Sequence, residues 1–468
     1  MNNLNIAMIW PSGFDFDQVM PLPFGYLKSN LDNNKYNVRI FDCVLRGDNA
    51  KSPQLKTHLM EFDPDVVCVS CYSHTYTEAL EILRLAKSIN LDIVTVIGGV
   101  HVTSYPEKTM ENDVVDFLFR GEAEISFPIF LEELCKEKPE WSGVKGLMYR
   151  EGNGDCTKND MDREDCLDKI KIPDYEAIDL DAYIQKGYRL NSPRGTRNAP
   201  VWVTRGCPYR CQYCSAPTLN GKKVRVHTVE YMVEWVKYLY YEKNIRRINI
   251  LDDNFTFHVK YAKEFCRAMI NLNLKDLCFG TPNGIRMERG DPELWSLMKQ
   301  AGWSYVVIAP ESGSEHTLHL MKKDLDLEVL PKIVKEIRGS GLRVHAFFIV
   351  GYPGETLEDI NHTAKIIRKI RFNWVGIHAF QPLPGTPIFD DLVKSNALSN
   401  KFLPKNFQNG EITYKTKELG DFNLAKFILK TYARMMLADP LNIPYMLTFH
   451  SPRFLFGKLL VNTREAIS

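Results

Sequence analysis

Short apolar runs alternate with helical periodicity along the first third of the chain. Five runs predict buried strands, and they lie at residues 5–10, 36–42, 65–70, 92–99 and 116–121. Residues 23–31 and 78–89 have the period of helices. Strands that alternate with helices indicate a parallel, doubly wound α/β sheet of the Rossmann-like kind. Such a sheet binds ligands beyond the carboxyl ends of its strands, here the loops at 10–13, 70–74, 98–103 and 121–124.

A second rhythm of strands and helices begins near Val201. Six apolar segments predict strands, at 201–204, 247–251, 277–280, 305–309, 344–350 and 375–380, with helical patterns between them. Six such units indicate a partial (β/α)6 barrel, whose site lies at the carboxyl ends of the strands. Polar or glycine-rich residues fall at those ends, at Cys207, 252–253, Asn283, 311–312, 351–355 and 381–385.

The remaining segments are less regular. Residues 141–195 are rich in charges and turn residues, and we interpret them as a linker with a small hairpin or a substrate-side loop. The tail contains a predicted helix at 424–439 and an aromatic, basic stretch at 449–458, which we expect to pack on the enzyme body. The predicted organisation is an α/β domain at 1–140, a linker at 141–195, the barrel at 196–394 and a mostly helical, substrate-side C-terminal region at 395–468.

Composition is that of an ordinary globular protein. The chain has 468 residues, 44% of them hydrophobic and 25% charged, and its formal net charge is +1. This balance gives no electrostatic argument for a nucleic-acid partner. The N-terminus lacks a secretory pattern, and no apolar run approaches the roughly 20 residues of a membrane span. The 11 cysteines are mostly scattered, so we expect a cytoplasmic protein without a disulfide framework. Since no apolar run is long enough to span a membrane, we also expect no membrane contact.

Three cysteines stand close together. Cys207, Cys211 and Cys214 have the spacing Cys-x3-Cys-x2-Cys, and no fourth cysteine or histidine follows at ligand distance. Three thiolates on one loop can hold three irons of a 4Fe-4S cube and leave one iron open. An open position is where substrate chemistry takes place at catalytic metal sites. The triplet therefore predicts a reactive cluster, with a zinc site or a disulfide cluster as the alternatives.

The chain resembles the cobalamin-binding branch of the radical S-adenosylmethionine (radical SAM) superfamily, of the class B methyltransferase type. The resemblance rests on the cysteine spacing, on Thr-Arg-Gly-Cys-Pro at 204–208, on Tyr213 and on further motifs in the expected order, and it covers roughly residues 1–390. It implies that Cys207, Cys211 and Cys214 bind a 4Fe-4S cluster. The open iron would chelate S-adenosylmethionine (SAM), and one electron would cleave SAM to a 5′-deoxyadenosyl radical.

The resemblance also implies residues that contact SAM at the strand ends. Tyr213 and Ile349 would pack on the adenine, while Glu311 and Ser312 would bind the ribose hydroxyls and the methionine end. Asp252 and Asp253 stand where relatives often have Gly-Gly-Glu, and they still offer acceptors for an ammonium group. Helix capping is the alternative role for these aspartates and for Ser312. The set implied for SAM is Tyr213, Asp252, Asp253, Glu311, Ser312, Ile349, Gly351, Gly354 and Glu355.

The N-terminal unit resembles a cobalamin-binding domain through its segments 98–103 and 119–124. Glycines there would let the corrin or its nucleotide tail lie close to the backbone. The chain lacks the Asp-x-His-x-x-Gly motif that supplies a lower axial histidine, so we interpret His74 and His101 as loop or structural residues. The set implied for cobalamin is Ser70, Tyr72, Gly98, Gly99, Val100, His101, Gly121 and Glu122.

The implied activity is hydrogen abstraction from a small molecule followed by methyl transfer from methylcobalamin to an unactivated carbon. An oxidative cyclisation or ring rearrangement with the same cofactors is the alternative, and no residue separates the two. A non-catalytic carrier of both cofactors and a tRNA-modifying methylthiotransferase are disfavoured, the latter because a basic footprint for RNA is missing. The resemblance also implies an external electron donor such as flavodoxin or ferredoxin, and a substrate of the natural-product, lipid or tetrapyrrole class.

Overall fold

The first part of the protein is a seven-stranded sheet with the order β2-β1-β3-β4-β5-β6-β7. The computed structural model describes residues 4–15, 18–152, 154–190, 192–193, 195–400, 402–404, 412 and 414–449. The strands are β1 (Leu4–Trp10), β2 (Tyr36–Asp42), β3 (Val66–Ser70), β4 (Val94–Gly98), β5 (Phe117–Phe119), β6 (Leu147–Arg150) and β7 (Cys156–Lys158). The helices are α1 (Leu22–Asn30), α2 (Cys43–Arg46), α3 (Pro53–Phe62), α4 (Tyr76–Ile89), α5 (Val100–Ser104), α6 (Pro106–Met110) and α7 (Ser126–Leu134).

Apolar side chains cover both faces of this sheet. Alternate residues of β1 enter different cores: Ile6 and Met8 pack in one cluster, and Ala7 and Ile9 pack in another. This is the two-residue period of a strand. β3 is buried along its whole length, as a central parallel strand between two helix layers should be. The doubly wound α/β prediction is therefore confirmed, and its carboxyl edge is left to bind a ligand.

The hairpin expected within residues 141–195 is present, but it belongs to the first sheet. β6 pairs antiparallel with β5, and β7 pairs antiparallel with β6. The sheet therefore continues past residue 140, where the sequence placed the end of the first domain. The rest of the linker contributes α8 (Leu180–Lys186), whose Tyr183 hydroxyl donates to Asp42 at 2.7 Å.

The second part is a partial barrel of parallel strands. It consists of two three-stranded sheets, and an isolated parallel bridge between Ile285 and Ile308 joins them. Buried Trp235, Trp295 and Trp303 fill its core. The barrel strands are β8 (Asn198–Val201), β11 (Arg247–Ile250), β12 (Cys278–Gly280), β13 (Tyr305–Glu311), β14 (Arg343–Val350) and β15 (Trp374–Ala379), and the short β9 (Thr204–Arg205) and β10 (Arg225–Val226) form a separate pair. The helices are α9 (Ala216–Asn220), α10 (Val229–Tyr241), α11 (Val259–Leu272), α12 (Pro292–Gln300), α13 (Glu315–Leu320), α14 (Leu330–Gly339), α15 (Leu357–Ile370) and α16 (Pro387–Lys394).

The C-terminal region is helical where it is described. α17 (Leu424–Ala438) and α18 (Ile443–Phe449) pack against the barrel, and the α18 residue Tyr445 lies 2.8 Å from His345 Nε2. This contact lies at the amino-terminal end of β14, opposite the expected site. The aromatic, basic stretch at 449–458 falls outside the described residues except for its first position. Within the described ranges, none of the helices combines the length and apolar character needed to cross a bilayer.

Candidate active site

The three clustered cysteines lie on one loop between β9 and α9. The β9–β10 pair closes the base of this loop, where Cys207 N–H donates to Gly221 O at 3.0 Å. Gly206 has a φ of +101°, and a Cβ atom there would overlap Lys223 O. Only glycine fits so tight a crossing. At the tip of the loop, Cys214 N–H donates to Cys211 O at 3.2 Å, so the backbone turns back on itself between these two cysteines.

The thiol chemistry of this loop fits an iron–sulfur cluster. Cys207, Cys211 and Cys214 are half-buried free thiols. Among the described residues, no three His, Cys, Asp or Glu side chains converge as ligands of one ion. In a 4Fe-4S cube each thiolate binds a different iron, so such convergence is not required. Burial raises the pKa of Cys214 to about 12, so an incoming iron would displace its proton.

The two neighbouring aspartates after β11 have different surroundings. Asp252 is buried, and its carboxylate oxygens accept the Val203 and Thr204 amides at 2.8 and 2.9 Å. Burial raises the pKa of Asp252 to about 7. Asp252, one of the residues predicted to contact SAM, therefore holds the chain that leads into the cysteine loop. Asp253 is only half-buried and accepts from Asn220 Nδ2 at 2.8 Å, beside the cysteines.

Glu311 occupies a strained position at the end of β13. Pro310 cannot donate to the neighbouring strand, and β13 bulges by one residue so that Glu311 pairs with Phe348. The φ of Glu311 is +69°, a conformation that residues other than glycine rarely adopt. Its carboxylate accepts from the Tyr213 hydroxyl at 2.9 Å and lies 3.6 Å from Lys323 Nζ. The structure thus brings two of the residues predicted to contact SAM into direct contact.

The turn after β14 supports the same region. Ile349 and Tyr213 pack in one apolar cluster with Met321, Tyr352 and Phe380. The fully buried Glu355 closes the turn by accepting the Gly351 amide at 2.5 Å, and burial raises its pKa to about 7. Gly351 and Gly354 have φ values of +79° and +86°. This turn therefore brings backbone and apolar side chains to the barrel mouth, while the Glu355 carboxylate is occupied by a hydrogen bond within the turn.

Ser312 is also used internally. Its hydroxyl lies 3.3 Å from Thr363 Oγ1 and accepts the Ser314 amide at 3.2 Å. It is fully buried and caps no helix, because the N-cap of α13 is Ser314, whose hydroxyl accepts the Thr317 amide. Of the predicted SAM set, Tyr213, Asp253, Glu311, Ile349 and the two turn glycines lie around the cysteine loop. Asp252, Ser312 and Glu355 accept hydrogen bonds from backbone amides of the neighbouring segments.

Three further polar side-chain atoms near strand ends have no hydrogen-bond partner among the described residues. They are Asn254 Nδ2, Thr281 Oγ1 and the Tyr352 hydroxyl, all buried. A buried polar group without a partner costs free energy, so these atoms favour a polar ligand at the barrel mouth. Each lies within three residues of the end of a predicted strand, and that position was the signal that could have identified them from the sequence.

The carboxyl edge of the first sheet carries a group of packed rings. The strand order reverses direction between β1 and β3, and ligands of open α/β sheets bind at such a point. Trp10 stacks on Phe14 with centroids 4.3 Å apart, and the Phe14 ring meets the edges of Tyr72 and His74, each at 5.1 Å. Trp10 Nε1 and His74 Nε2 are buried without a partner among the described residues. These unpaired groups fit a large polar cofactor.

The glycine turn after β4 lies beside these rings. Gly98 pairs with Ser70 in the sheet, and Gly99 has a φ of +105°. A Cβ atom on Gly99 would lie 2.5 Å from Cys71 O, so the two chain segments approach too closely for any side chain. Val100 begins α5, and the Gly121 amide donates to Thr103 Oγ1 at 2.9 Å. The structure therefore brings together most residues of the predicted cobalamin set.

Two members of that set have internal partners instead. His101 is buried, its Nδ1 lies 3.0 Å from Ser73 Oγ, and burial lowers its pKa to about 4. Glu122 forms a bidentate ion pair with Arg225 and lies 3.4 Å from Arg205. These contacts do not support their assignment to cobalamin. His101 is buried against Ser73, and Glu122 pairs with arginines of the second part of the protein.

The same ion pairs join the two parts of the protein. Arg205, which precedes Gly206 and Cys207, lies 2.8 Å from Glu124, and its guanidinium lies 5.0 Å from the Tyr26 ring. Farther along the interface, Tyr105 packs on Phe389 with centroids 5.8 Å apart. The cysteine loop is therefore anchored directly to the carboxyl edge of the first sheet. Removing one partner of such a buried ion pair would leave an uncompensated buried charge and destabilise the interface.

Comparison with protein families assigns both parts. Residues 201–367 match the radical SAM superfamily, and residues 18–131 match the B12 binding domain. An uncharacterised methyltransferase of Pyrococcus horikoshii is 29% identical over 92% of this chain and 90% of its own length. The cytidylyl-2-hydroxyethylphosphonate methyltransferase of Streptomyces wedmorensis is 27% identical over 80% of this chain and 78% of its own. The anaerobic magnesium-protoporphyrin IX monomethyl ester cyclase of Rubrivivax gelatinosus is 26% identical over 83% and 67%.

A solved structure has the same fold. The radical SAM methyltransferase TsrM of Kitasatospora setae, with cobalamin and a 4Fe-4S cluster bound, superposes with a TM-score of 0.74. The match covers 94% of this chain and 92% of that one at 16% identity. The two domains are those of an enzyme that uses a 4Fe-4S cluster, SAM and cobalamin, and the site residues fit all three. The chain belongs to the cobalamin-binding radical SAM enzymes, of the methyltransferase and cyclase type.

Proposed function

We propose that the protein is a methyltransferase that transfers a methyl group to an unactivated carbon of a small molecule. The observation that carries this proposal is the direct joining of the cysteine loop to the cobalamin side through Arg205, Glu122 and Glu124. A radical formed at the loop and a methyl group held at the first sheet would then meet in one interface. The methyltransferases of Pyrococcus horikoshii and Streptomyces wedmorensis, which match most of the chain, support methyl transfer as the reaction type.

The residues of the chain would bind and orient the reacting groups. When bound, the cluster and SAM supply the radical that removes a hydrogen atom, and cobalamin supplies the methyl group. Cys207, Cys211 and Cys214 would hold the cluster, and the carboxylate of Glu311 would accept hydrogen bonds from ribose hydroxyls of SAM. The apolar cluster around Tyr213 and Ile349 would receive the adenine and exclude water from it.

Asp253 would receive the methionine ammonium of SAM. It is half-buried beside the cysteines, and burial raises its pKa, so a cationic partner would stabilise its charged form. On the other side, Trp10, Tyr72 and the turn at Gly98 and Gly99 would line the cobalamin. An external donor of the flavodoxin or ferredoxin class would supply two electrons per turnover. One would serve the reductive cleavage of SAM, and the other would restore the reduced cobalamin that takes a new methyl group from a second SAM.

A cyclisation is the second candidate, because the Rubrivivax gelatinosus cyclase matches 83% of the chain. It would use the same cofactors and the same hydrogen abstraction. The two reactions differ in the mass of the product, which gains a methyl group in one and loses hydrogen atoms in the other.

Deuterated-methyl SAM separates the two reactions. The reconstituted enzyme is incubated anaerobically with this SAM, a reductant and a small-molecule extract of the source cells, and products are compared by mass spectrometry. We expect deoxyadenosine together with a product that carries a trideuteromethyl group, and neither with the Cys211→Ala variant. Deoxyadenosine accompanied only by a product that has lost hydrogen atoms would favour the cyclase and refute methyl transfer.

A further inference from the structure

A buried arginine lies against one of the cluster cysteines. The guanidinium of Arg286 is 7% exposed, and its Nη2 lies 3.8 Å from Cys211 Sγ. The same guanidinium sits 3.7 Å from the centroid of the Tyr209 ring, which belongs to the cysteine loop. Arg286 therefore contacts the loop at two points, one of them a thiol that would bind iron.

The position of Arg286 is fixed from several sides. Its backbone follows Ile285, which bridges to Ile308 and joins the two halves of the barrel. The Arg286 carbonyl accepts from Thr256 Oγ1 at 3.2 Å. Its Nη1 donates to Asp324 O at 2.8 Å and to Glu288 Oε1 at 2.5 Å. These contacts hold one nitrogen on the protein side and leave Nη2 directed at the cysteine.

The charge at this place has a clear electrostatic consequence. Reduction of an iron–sulfur cluster adds one negative charge, and a nearby cation with an N–H donor stabilises that charge. Glu288 neutralises part of the cation, but it is more exposed and binds the nitrogen opposite to the sulfur side. In a buried setting the attraction between guanidinium and thiolate is weakly screened.

We propose that Arg286 is a positioning residue that raises the reduction potential of the cluster by donating to the thiolate of Cys211. This inference rests on the proposed cluster site. It assigns Arg286 to the one-electron reduction that precedes cleavage of SAM, and not to the binding of SAM or substrate. Among the described residues, Arg286 is the guanidinium that lies within hydrogen-bond distance of a cysteine of this loop.

The test is an equilibrium redox titration without SAM. The reconstituted protein is titrated with dithionite and redox mediators, and the reduced cluster is followed by electron paramagnetic resonance. We expect Arg286→Gln to lower the midpoint potential and Arg286→Lys to lower it less, because lysine keeps the charge but loses the fork that holds Glu288 and Cys211 together. Arg289→Gln is the matched control. Arg289 Nε lies 3.0 Å from the Tyr209 hydroxyl, on the loop but not at a thiol, and the potential should not change.

Two measurements separate the possible failures. Iron and sulfide content show whether the wild-type protein holds a cluster at all, and its absence would contradict the proposed function itself. If the cluster is present, an unchanged midpoint potential in Arg286→Gln overturns the inference. If the affinity of that variant for SAM is also weakened, Arg286 is a SAM ligand instead. If Arg286→Gln fails to assemble a cluster, the potential of Arg286→Lys decides, and a wild-type value there refutes the proposal.

Discussion

Replacing Cys211 by alanine should abolish both the cluster and the cleavage of SAM. Three thiolates are needed to hold three irons, so the loss of one leaves a second iron without a protein ligand. Cys211 is also the cysteine that Arg286 contacts, at 3.8 Å, so the variant removes the thiolate nearest to that cation. The measurements are iron and sulfide content, the visible absorbance of the cluster, and deoxyadenosine formed under strong reduction.

Cys278→Ala is the control for this experiment. Cys278 is half-buried in the same barrel, and its thiol donates to Arg246 O at 3.3 Å, away from the loop. Its loss should leave the cluster and SAM cleavage near wild type. Cleavage at the wild-type rate in Cys211→Ala would show that the triplet does not bind the cluster.

Replacing Gly99 by alanine should remove most of the bound cobalamin. The new Cβ atom would lie 2.5 Å from Cys71 O and 2.8 Å from Cys71 N, and neither backbone atom can move without disturbing β3. The φ of +105° adds strain for any residue with a side chain. The turn must shift, and Gly98 and Val100 shift with it. If a strain of about 1–3 kcal/mol is relieved at the expense of binding, affinity falls about 5- to 150-fold.

Cobalamin per chain after desalting measures this effect, and iron content shows that the barrel is intact. Gly47→Ala provides a matched control in the same domain, because Gly47 has a φ of +72° but a Cβ atom added to it would meet nothing within 4 Å. It tests backbone strain alone and should retain cobalamin. Equal retention in both variants would contradict the assignment of the glycine turn to the cofactor.

The five parallel strands of the first sheet could be predicted from their apolar runs, which in β1, β3 and β4 are largely buried. The barrel strand expected at 201–204 was displaced, and the structure has β8 at Asn198–Val201 and a separate β9. The reason is a tertiary contact: the amides of Val203 and Thr204 donate to Asp252, so they are not available to a neighbouring strand. No local pattern in the sequence reports a partner about 50 residues away. For the same reason, the sequence predicts a small hairpin within 141–195 but does not show that this hairpin pairs with β5.

The residues of the candidate site also fall into two groups, those whose setting depends on nearby sequence and those whose setting depends on distant parts of the chain. The spacing of the cysteines and the glycine turns depend on local backbone geometry, and the sequence predicts them well. The roles of Glu122 and His101 depend on what lies beside them in space. Glu122 pairs with Arg225, 103 residues later, and His101 contacts Ser73 on a neighbouring loop. Charged and polar side chains were therefore assigned to ligands when the protein itself supplies their partners.

The central claim is that one interface holds both cofactors. The test measures the relaxation of the electron paramagnetic resonance signal of cobalamin in its Co(II) state. The signal is recorded first with the cluster oxidised and diamagnetic, and then with the cluster reduced. We expect the Co(II) signal to relax faster when the cluster is reduced, and this difference to vanish in Cys211→Ala. A Co(II) signal whose relaxation does not depend on the state of the cluster, in protein loaded with both cofactors, would contradict the account.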